Sequence, residues 1–127
     1  MIYYIAHWDW ILLQSRAEVV KSLESTYKIE GIAPLEDNKY LLNNYSQLHD
    51  WKINRKKLLD ISGLIDLRKK ISNFKHNDLI HLFTLKTLIL YLLSTLTFKK
   101  RFSVIASITG LGYLFSNTKL SKILRLI

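Results

Sequence analysis

The 127-residue sequence contains no cysteine, which excludes disulfides, thiolate zinc sites and cysteine nucleophiles. One proline and four glycines leave no material for a flexible linker or a low-complexity segment. Acidic residues are few: ten Asp and Glu stand against nineteen Lys and Arg, for a net charge of +9. A membrane-spanning helix needs roughly 20 apolar residues. The most apolar stretch, Thr84 to Phe98, has fifteen and contains Lys86. The N-terminus has no basic segment and reaches His7-Trp8-Asp9 too early for a secretory signal. What is present, 49% apolar and 23% charged residues, is too apolar for a disordered basic tail. The expectation is one cytosolic globular domain with a basic face. Thr84 to Phe98 reads as a buried helix, with a place in the membrane interface as the alternative, since Lys99-Lys100-Arg101 follows directly.

Patterning gives the fold class. Residues 2–6 form a short apolar run, the mark of a buried strand. From Trp10 the pattern becomes helical, with Leu13, Ala17 and Val20 beside Leu12, Val19 and Leu23, Asp9 as N-cap and an end near Ser25-Thr26. Tyr27 to Ala33 reads as a strand closed by Pro34, and a short strand is expected near Leu48 to Ile53 within an otherwise polar loop. Leu64, Leu67, Ile71 and Phe74 mark an amphipathic helix that His76-Asn77-Asp78 breaks. Leu79 to Phe83 and Ser103 to Ile108 are strands on either side of the apolar helix. After Gly110-Leu111-Gly112 a last helix presents Leu120, Ile123, Leu124 and Ile127, and its stripe is still in phase where the sequence stops, as in a piece of a larger protein or an end covered by a partner. Strands alternating with helices predict an α/β fold: a single Rossmann-like domain, mostly parallel open sheet, helices on both faces.

In such sheets ligands bind where strands give way to helices. Three places qualify: His7-Trp8-Asp9 with Arg16, His81 to Lys86, and Ser107 to Tyr113. Helix N-termini there offer unpaired N–H groups and partial positive charge, and Lys86 adds a cation that suits a visiting anion such as a phosphate rather than the fold. The plainer readings are Asp9 as a cap, His7 and His81 as structural histidines, Gly110 and Gly112 as turn formers, and Trp8 and Trp10 as packing residues. No metal-ligand spacing and no complete nucleotide-binding or hydrolase motif occurs, so neither metal nor cofactor is expected.

The residue strings carry more than their spacing. Asp9-Trp10 with Arg16, then Asp78-Leu79-Ile80-His81-Leu82-Phe83-Thr84-Leu85-Lys86, then Thr109-Gly110-Leu111-Gly112-Tyr113-Leu114-Phe115 follow one another in a known order. The chain resembles the N-terminal domain of bacterial family 4 glycosyltransferases of the GT-B fold. The most similar subgroup transfers sugars to polyprenyl-diphosphate-linked saccharides in surface polysaccharide, capsule, O-antigen or protein-glycan assembly. The resemblance covers Ile2 to about Leu126. It departs at Thr87, where the family often has proline, and at Ser25-Thr26, where a glycine is usual.

The resemblance implies that residues 1–127 are the acceptor-side half of a retaining transferase whose donor-binding domain lies elsewhere. It further implies substrate contacts by His7, Asp9, Arg16, His81, Thr84, Lys86, Thr109, Gly110 and Gly112 along an interdomain cleft. Arg16 and Lys86 are the candidates for an acceptor phosphate or donor diphosphate, and the two glycines let backbone approach a ligand closely. The implied partners are a nucleotide-sugar, a polyprenyl-diphosphate-linked acceptor, the missing domain or a partner chain, and the inner face of the cytoplasmic membrane. The isolated chain is expected to be inactive, and no catalytic residue is assigned. The alternatives are one subunit of a two-chain transferase, or a non-catalytic basic module on a membrane surface or nucleic acid. Nucleic acid is disfavoured because the cations look scattered over several elements and no recognition motif is present.

Overall fold

Aromatic and β-branched side chains make Ile2–Ala6 a strand, β1, and it takes the centre of the sheet. The fold comes from a computed structural model, which describes residues 1–14, 16–36, 38–39 and 42–108. After β1 the chain forms α1 (Asp9–Leu13), α2 (Ala17–Leu23), β2 (Ile29–Ala33) and β3 (Gln47–Asp50). It continues through α3 (Ile61–Ser72), β4 (Leu79–Phe83), α4 (Leu85–Thr95) and β5 (Ser103–Ser107). The five strands lie in the order β3-β2-β1-β4-β5, every neighbouring pair parallel. This is the α/β, Rossmann-like domain that the alternation of elements predicts.

Parallel strands covered on both faces send successive side chains into two different cores. Tyr4, Ala6 and Phe83 pack with Leu12 and Val20 on the side of α1 and α2. Ile5, Ile80 and Leu82 pack with Leu67, Ile71 and Leu90 on the side of α3 and α4. Trp51, one residue past β3, is fully buried and donates its indole N–H to the Gly63 carbonyl at 2.8 Å. Gly63 is glycine because Trp51 and Ile53 draw the chain onto α3: a Cβ there would sit 2.9 Å from Ile53 Cγ1 and 3.0 Å from its Cβ.

Several expectations need correction. The single helix expected from Trp10 to near Ser25-Thr26 is two: α1 ends at Leu13, the Arg16 N–H bonds back to the Gln14 carbonyl at 2.7 Å, and α2 starts a new phase at Ala17 and ends at Leu23. That restart leaves Val19 exposed and buries Val20. Asp9 is not the N-cap. Trp8 holds that position, and Asp9 lies in the first turn with its carboxylate turned elsewhere. The strand expected from Tyr27 begins at Ile29, since the Tyr27 N–H closes the end of α2 on the Leu23 carbonyl. The strand near Leu48 is Gln47–Asp50, and Phe74 lies just beyond α3. The apolar helix is buried on one side only: Thr87, Leu90, Tyr91 and Ser94 face the sheet, while Ile89, Leu92 and Leu96 are exposed. The last expected helix and the Gly110–Gly112 turn lie outside the described residues. Among the described residues, no helix is long and apolar enough to cross a membrane.

Gly63→Ala tests the tight seam between α3 and residues 51–53. Alanine favours helix by about 1 kcal/mol, but the new methyl meets the branch point of Ile53, which cannot rotate away, and overpacking of this kind costs about 1–3 kcal/mol. Chemical denaturation should show a net loss of roughly 1 kcal/mol. A variant as stable as the parent or more so would mean that the seam is loose.

Candidate functional site

The sheet order reverses between β1 and β4. From β1 the chain winds outward through β2 to β3, then returns past β1 to β4 and β5. The loops leaving β1 and β4 lead to helices on opposite faces, the switch point at which doubly wound sheets bind ligands in a crevice. Ala6 and Phe83 are partners in the ladder, so the next residues, His7 and Thr84, stand side by side at its mouth.

A compact polar network joins them. The Thr84 hydroxyl lies 2.9 Å from His7 Nδ1 and 3.2 Å from Thr87 Oγ1. The His7 backbone N–H donates to Thr87 Oγ1 at 3.1 Å, and the Thr87 N–H donates to Thr84 Oγ1 at 3.4 Å, capping α4. One assignment satisfies both hydroxyls and Nδ1: Thr87 donates its hydroxyl proton to Thr84, and Thr84 donates its own to His7 Nδ1, which leaves the proton of the neutral ring on Nε2. Burial first, then the charges of Lys86 and Arg55, push the His7 pKa down to about 4. At neutral pH His7 is therefore an uncharged hydrogen-bonding group, suited to a hydroxyl and not to serving as a cation for phosphate. Thr84 holds φ 81°, ψ 152°, a conformation open essentially to glycine alone. A β-branched residue there costs about 1–3 kcal/mol, which the sheet and its cap must over-determine.

Cations surround the network. Lys86, in the first turn of α4, places Nζ 2.6 Å from the Arg55 carbonyl and 2.5 Å from the Lys57 carbonyl. The same loop is fixed from its other end by Asp60, which accepts the Asn54 N–H at 2.7 Å. So held, Arg55 lays its guanidinium 4.5 Å from the centre of a Trp8 ring and 3.2 Å from Glu36. Burial lowers the Lys86 pKa, with Asp60 acting against it. Lys86, singled out in the sequence for a visiting anion, thus also serves the fold, because its ammonium organises the basic loop 54–58.

The other residues singled out in the sequence are dispersed. Asp9 is fully buried, and its two oxygens accept the Glu36 N–H, the Asn38 N–H and the Asn38 side-chain amide, each at 3.1 Å. It tethers the loop after β2. Arg16 packs its guanidinium 4.8 Å from the centre of the Phe83 ring, on the α1–α2 face of the sheet. His81 lies within β4 on that face, stacked on Phe83 at 4.2 Å, with Nε2 2.7 Å from Ser107 Oγ. Burial and then Arg16 lower its pKa. The structure therefore joins His7, Thr84 and Lys86 at the crevice mouth, while Asp9, Arg16 and His81 are used by neighbouring loops and packing. Thr109, Gly110 and Gly112 lie outside the described residues.

Two participants have no signal strong enough to single them out in the sequence. Arg55 looks like one more cation in a basic loop. Thr87 looks like a departure from the family's proline, yet its N–H makes the capping bond to Thr84, which a proline could not. Compared with protein-family models and with curated proteins, the chain gives no match.

The lowered His7 pKa has a consequence for stability. The unfolded ring, with its ordinary value near 6.5, binds a proton more tightly than the folded one at about 4. Its contribution is full above pH 6.5 and is lost as the pH falls toward 4, by about 2 kcal/mol for a ring partly open to water. In urea melts between pH 7 and 4, His7→Gln should flatten this slope, leaving a residue of the same sign from His81; an unchanged slope would show that His7 is not the group responsible. For Lys86→Gln, the lost charge-assisted bonds should lower stability by about 1–2 kcal/mol. Amide exchange in residues 55–58 should also quicken, and unchanged exchange would mean that the loop holds itself.

Proposed function

We propose that the chain is the acceptor-side domain of a retaining GT-B glycosyltransferase that passes a sugar from a nucleotide-sugar to a polyprenyl-diphosphate-linked saccharide. One observation carries the proposal. Residues His7 and Thr84, 77 positions apart, meet in a hydrogen bond at the reversal point of the sheet, and Thr84 and Lys86 belong to the string that resembles this family. In such an enzyme, neutral His7 and the threonines offer donors and acceptors to sugar hydroxyls. Arg55, and Lys86 through the loop it holds, supply the positive field that a diphosphate requires. Donor binding, and stabilisation of the leaving diphosphate, fall to a second domain on the same or another chain.

The test is titration of the isotope-labelled chain with a short-chain prenyl-diphosphate-linked saccharide and, separately, with a panel of UDP-sugars. The acceptor analogue should shift the amide signals of His7, Thr84 and Thr87, and the UDP-sugars should leave them in place up to millimolar concentration. Micromolar binding of a UDP-sugar, or no response to the acceptor, would overturn the proposal.

A further inference from the structure

A carboxylate interrupts the apolar face that β1 and β2 turn toward α3. Glu30, the second residue of β2, lies on the same side of the sheet as Ile5 and Ile32, and its side chain is only 13% exposed. A charge so placed costs desolvation that an apolar residue would not. One of its oxygens is fixed: the His49 ring on β3 donates from Nε2 to Glu30 Oε2 at 2.6 Å. Among the described residues, neither Glu30 Oε1 nor the Tyr3 hydroxyl has a hydrogen-bond partner.

These groups surround a cavity of about 140 Å³, walled by Tyr3, Glu30, Ile32, His49, Lys70 and Phe74. It lies under the end of α3, near the beginnings of β1 and β2, and Tyr3 stands about 13 Å along β1 from His7. At about 30 Å³ for each water-sized atom, the cavity has room for roughly five non-hydrogen atoms. Tyr3 and Phe74, stacked with ring centres 3.7 Å apart, form its aromatic wall.

The charge inside the cavity selects its ligand. Lys70 brings a cation to the wall, but its ammonium lies 2.8 Å from both oxygens of Asp66 and is matched there. With the His49 ring as a neutral donor, Glu30 is the unmatched charge. The twelve-residue α3 ends here, and the negative end of its dipole adds to that of Glu30. The Tyr3 hydroxyl offers a lone pair and stays neutral: burial first, then Glu30 and Asp78, push its pKa up to about 12. A carboxylate, a phenol oxygen and aromatic walls suit an ammonium and repel an anion. Because His49 already holds one Glu30 oxygen, the two-bond fork of a guanidinium has no full counterpart, whereas a compact ammonium needs only the free oxygen.

We propose that this cavity binds a small primary ammonium compound, with Glu30 as the counter-ion and the Tyr3–Phe74 pair as the wall. The inference goes beyond the transferase proposal and does not depend on it, because the cavity shares no residue with the crevice and its probes are neither nucleotides nor saccharides. The isotope-labelled chain is titrated at pH 8 with four probes of equal size: butylammonium, butanol, propionate and methylguanidinium. Butylammonium should bind at millimolar concentration, the range open to so few atoms. It should shift the amide signals of Tyr3, Glu30, His49 and Phe74 and leave those of His7 and Thr84 in place. The other three probes should bind more weakly by about fivefold or more. Glu30→Gln, which keeps the side chain's size and an acceptor for His49, should weaken butylammonium by about tenfold or more. Tyr3→Phe, which keeps the aromatic pair, should weaken it about threefold. Glu18→Gln, which removes an exposed carboxylate of α2, should change nothing. Should Glu30→Gln fold poorly, the parent's signal shifts, the ranking of the probes and Tyr3→Phe still decide. Absence of shifts at the four cavity residues, another probe bound as tightly as butylammonium, or equal weakening by Glu18→Gln would overturn the proposal. So would undiminished binding by a folded Glu30→Gln chain or by Tyr3→Phe.

Discussion

The pairing of β1 with β4 is the contact on which the rest depends. Five residues of each strand align in parallel, Ile2 with Leu79 through Ala6 with Phe83, each partner 77 positions from the other. Closing so long a loop costs entropy that only a well-buried ladder returns. The returns are visible on both faces: Ile5, Ile80 and Leu82 are fully buried on one side, Ala6 and Phe83 on the other. This pairing also makes the sheet order reverse at its centre, and its register sets His7 beside Thr84.

The two ends of that ladder are handled differently. At the start, the Met1 ammonium lies 3.3 Å from Asp78, and the Leu79 N–H donates to the Met1 carbonyl at 3.0 Å, an orderly beginning. At the other end the backbone is forced: Thr84 takes a positive φ and still donates its N–H to the Ser107 carbonyl at 3.0 Å. Strain kept at a strand-to-helix turn is expected where a side chain must be aimed. Here the aimed group is a hydroxyl bonded to His7. A glycine would relieve the backbone and lose that bond.

The two helical layers are also unequal. The α1–α2 layer is short and interrupted, and it closes over the sheet with help from the loop that Asp9 and Tyr45 tie down, the latter by its hydroxyl on the Leu12 carbonyl at 2.9 Å. The α3–α4 layer is long, continuous and greasy on its outside.

By itself the sequence determines the fold class and most of the elements, though not all of their bounds. Period-2 and apolar runs place Ile2–Ala6 and Leu79–Phe83, and a 3.6-residue stripe places α3, because these patterns depend only on which side of a strand or helix must leave water. The strings around Asp9, His81 and Lys86 mark where chemistry could gather. What they do there was decided by tertiary structure. Whether Asp9 caps its own helix or holds a distant loop depends on where Glu36 and Asn38 lie. Whether Lys86 points at a ligand or at the Arg55 and Lys57 carbonyls depends on a loop about thirty residues earlier. His7 and Thr87 meet only because β1 and β4 pair, and no local pattern encodes a partner 80 positions away. That residues 51–101 hold twelve Lys and Arg against three Asp is countable in the sequence, but which apolar residues of α3 and α4 are core and which exposed depends on what packs against them.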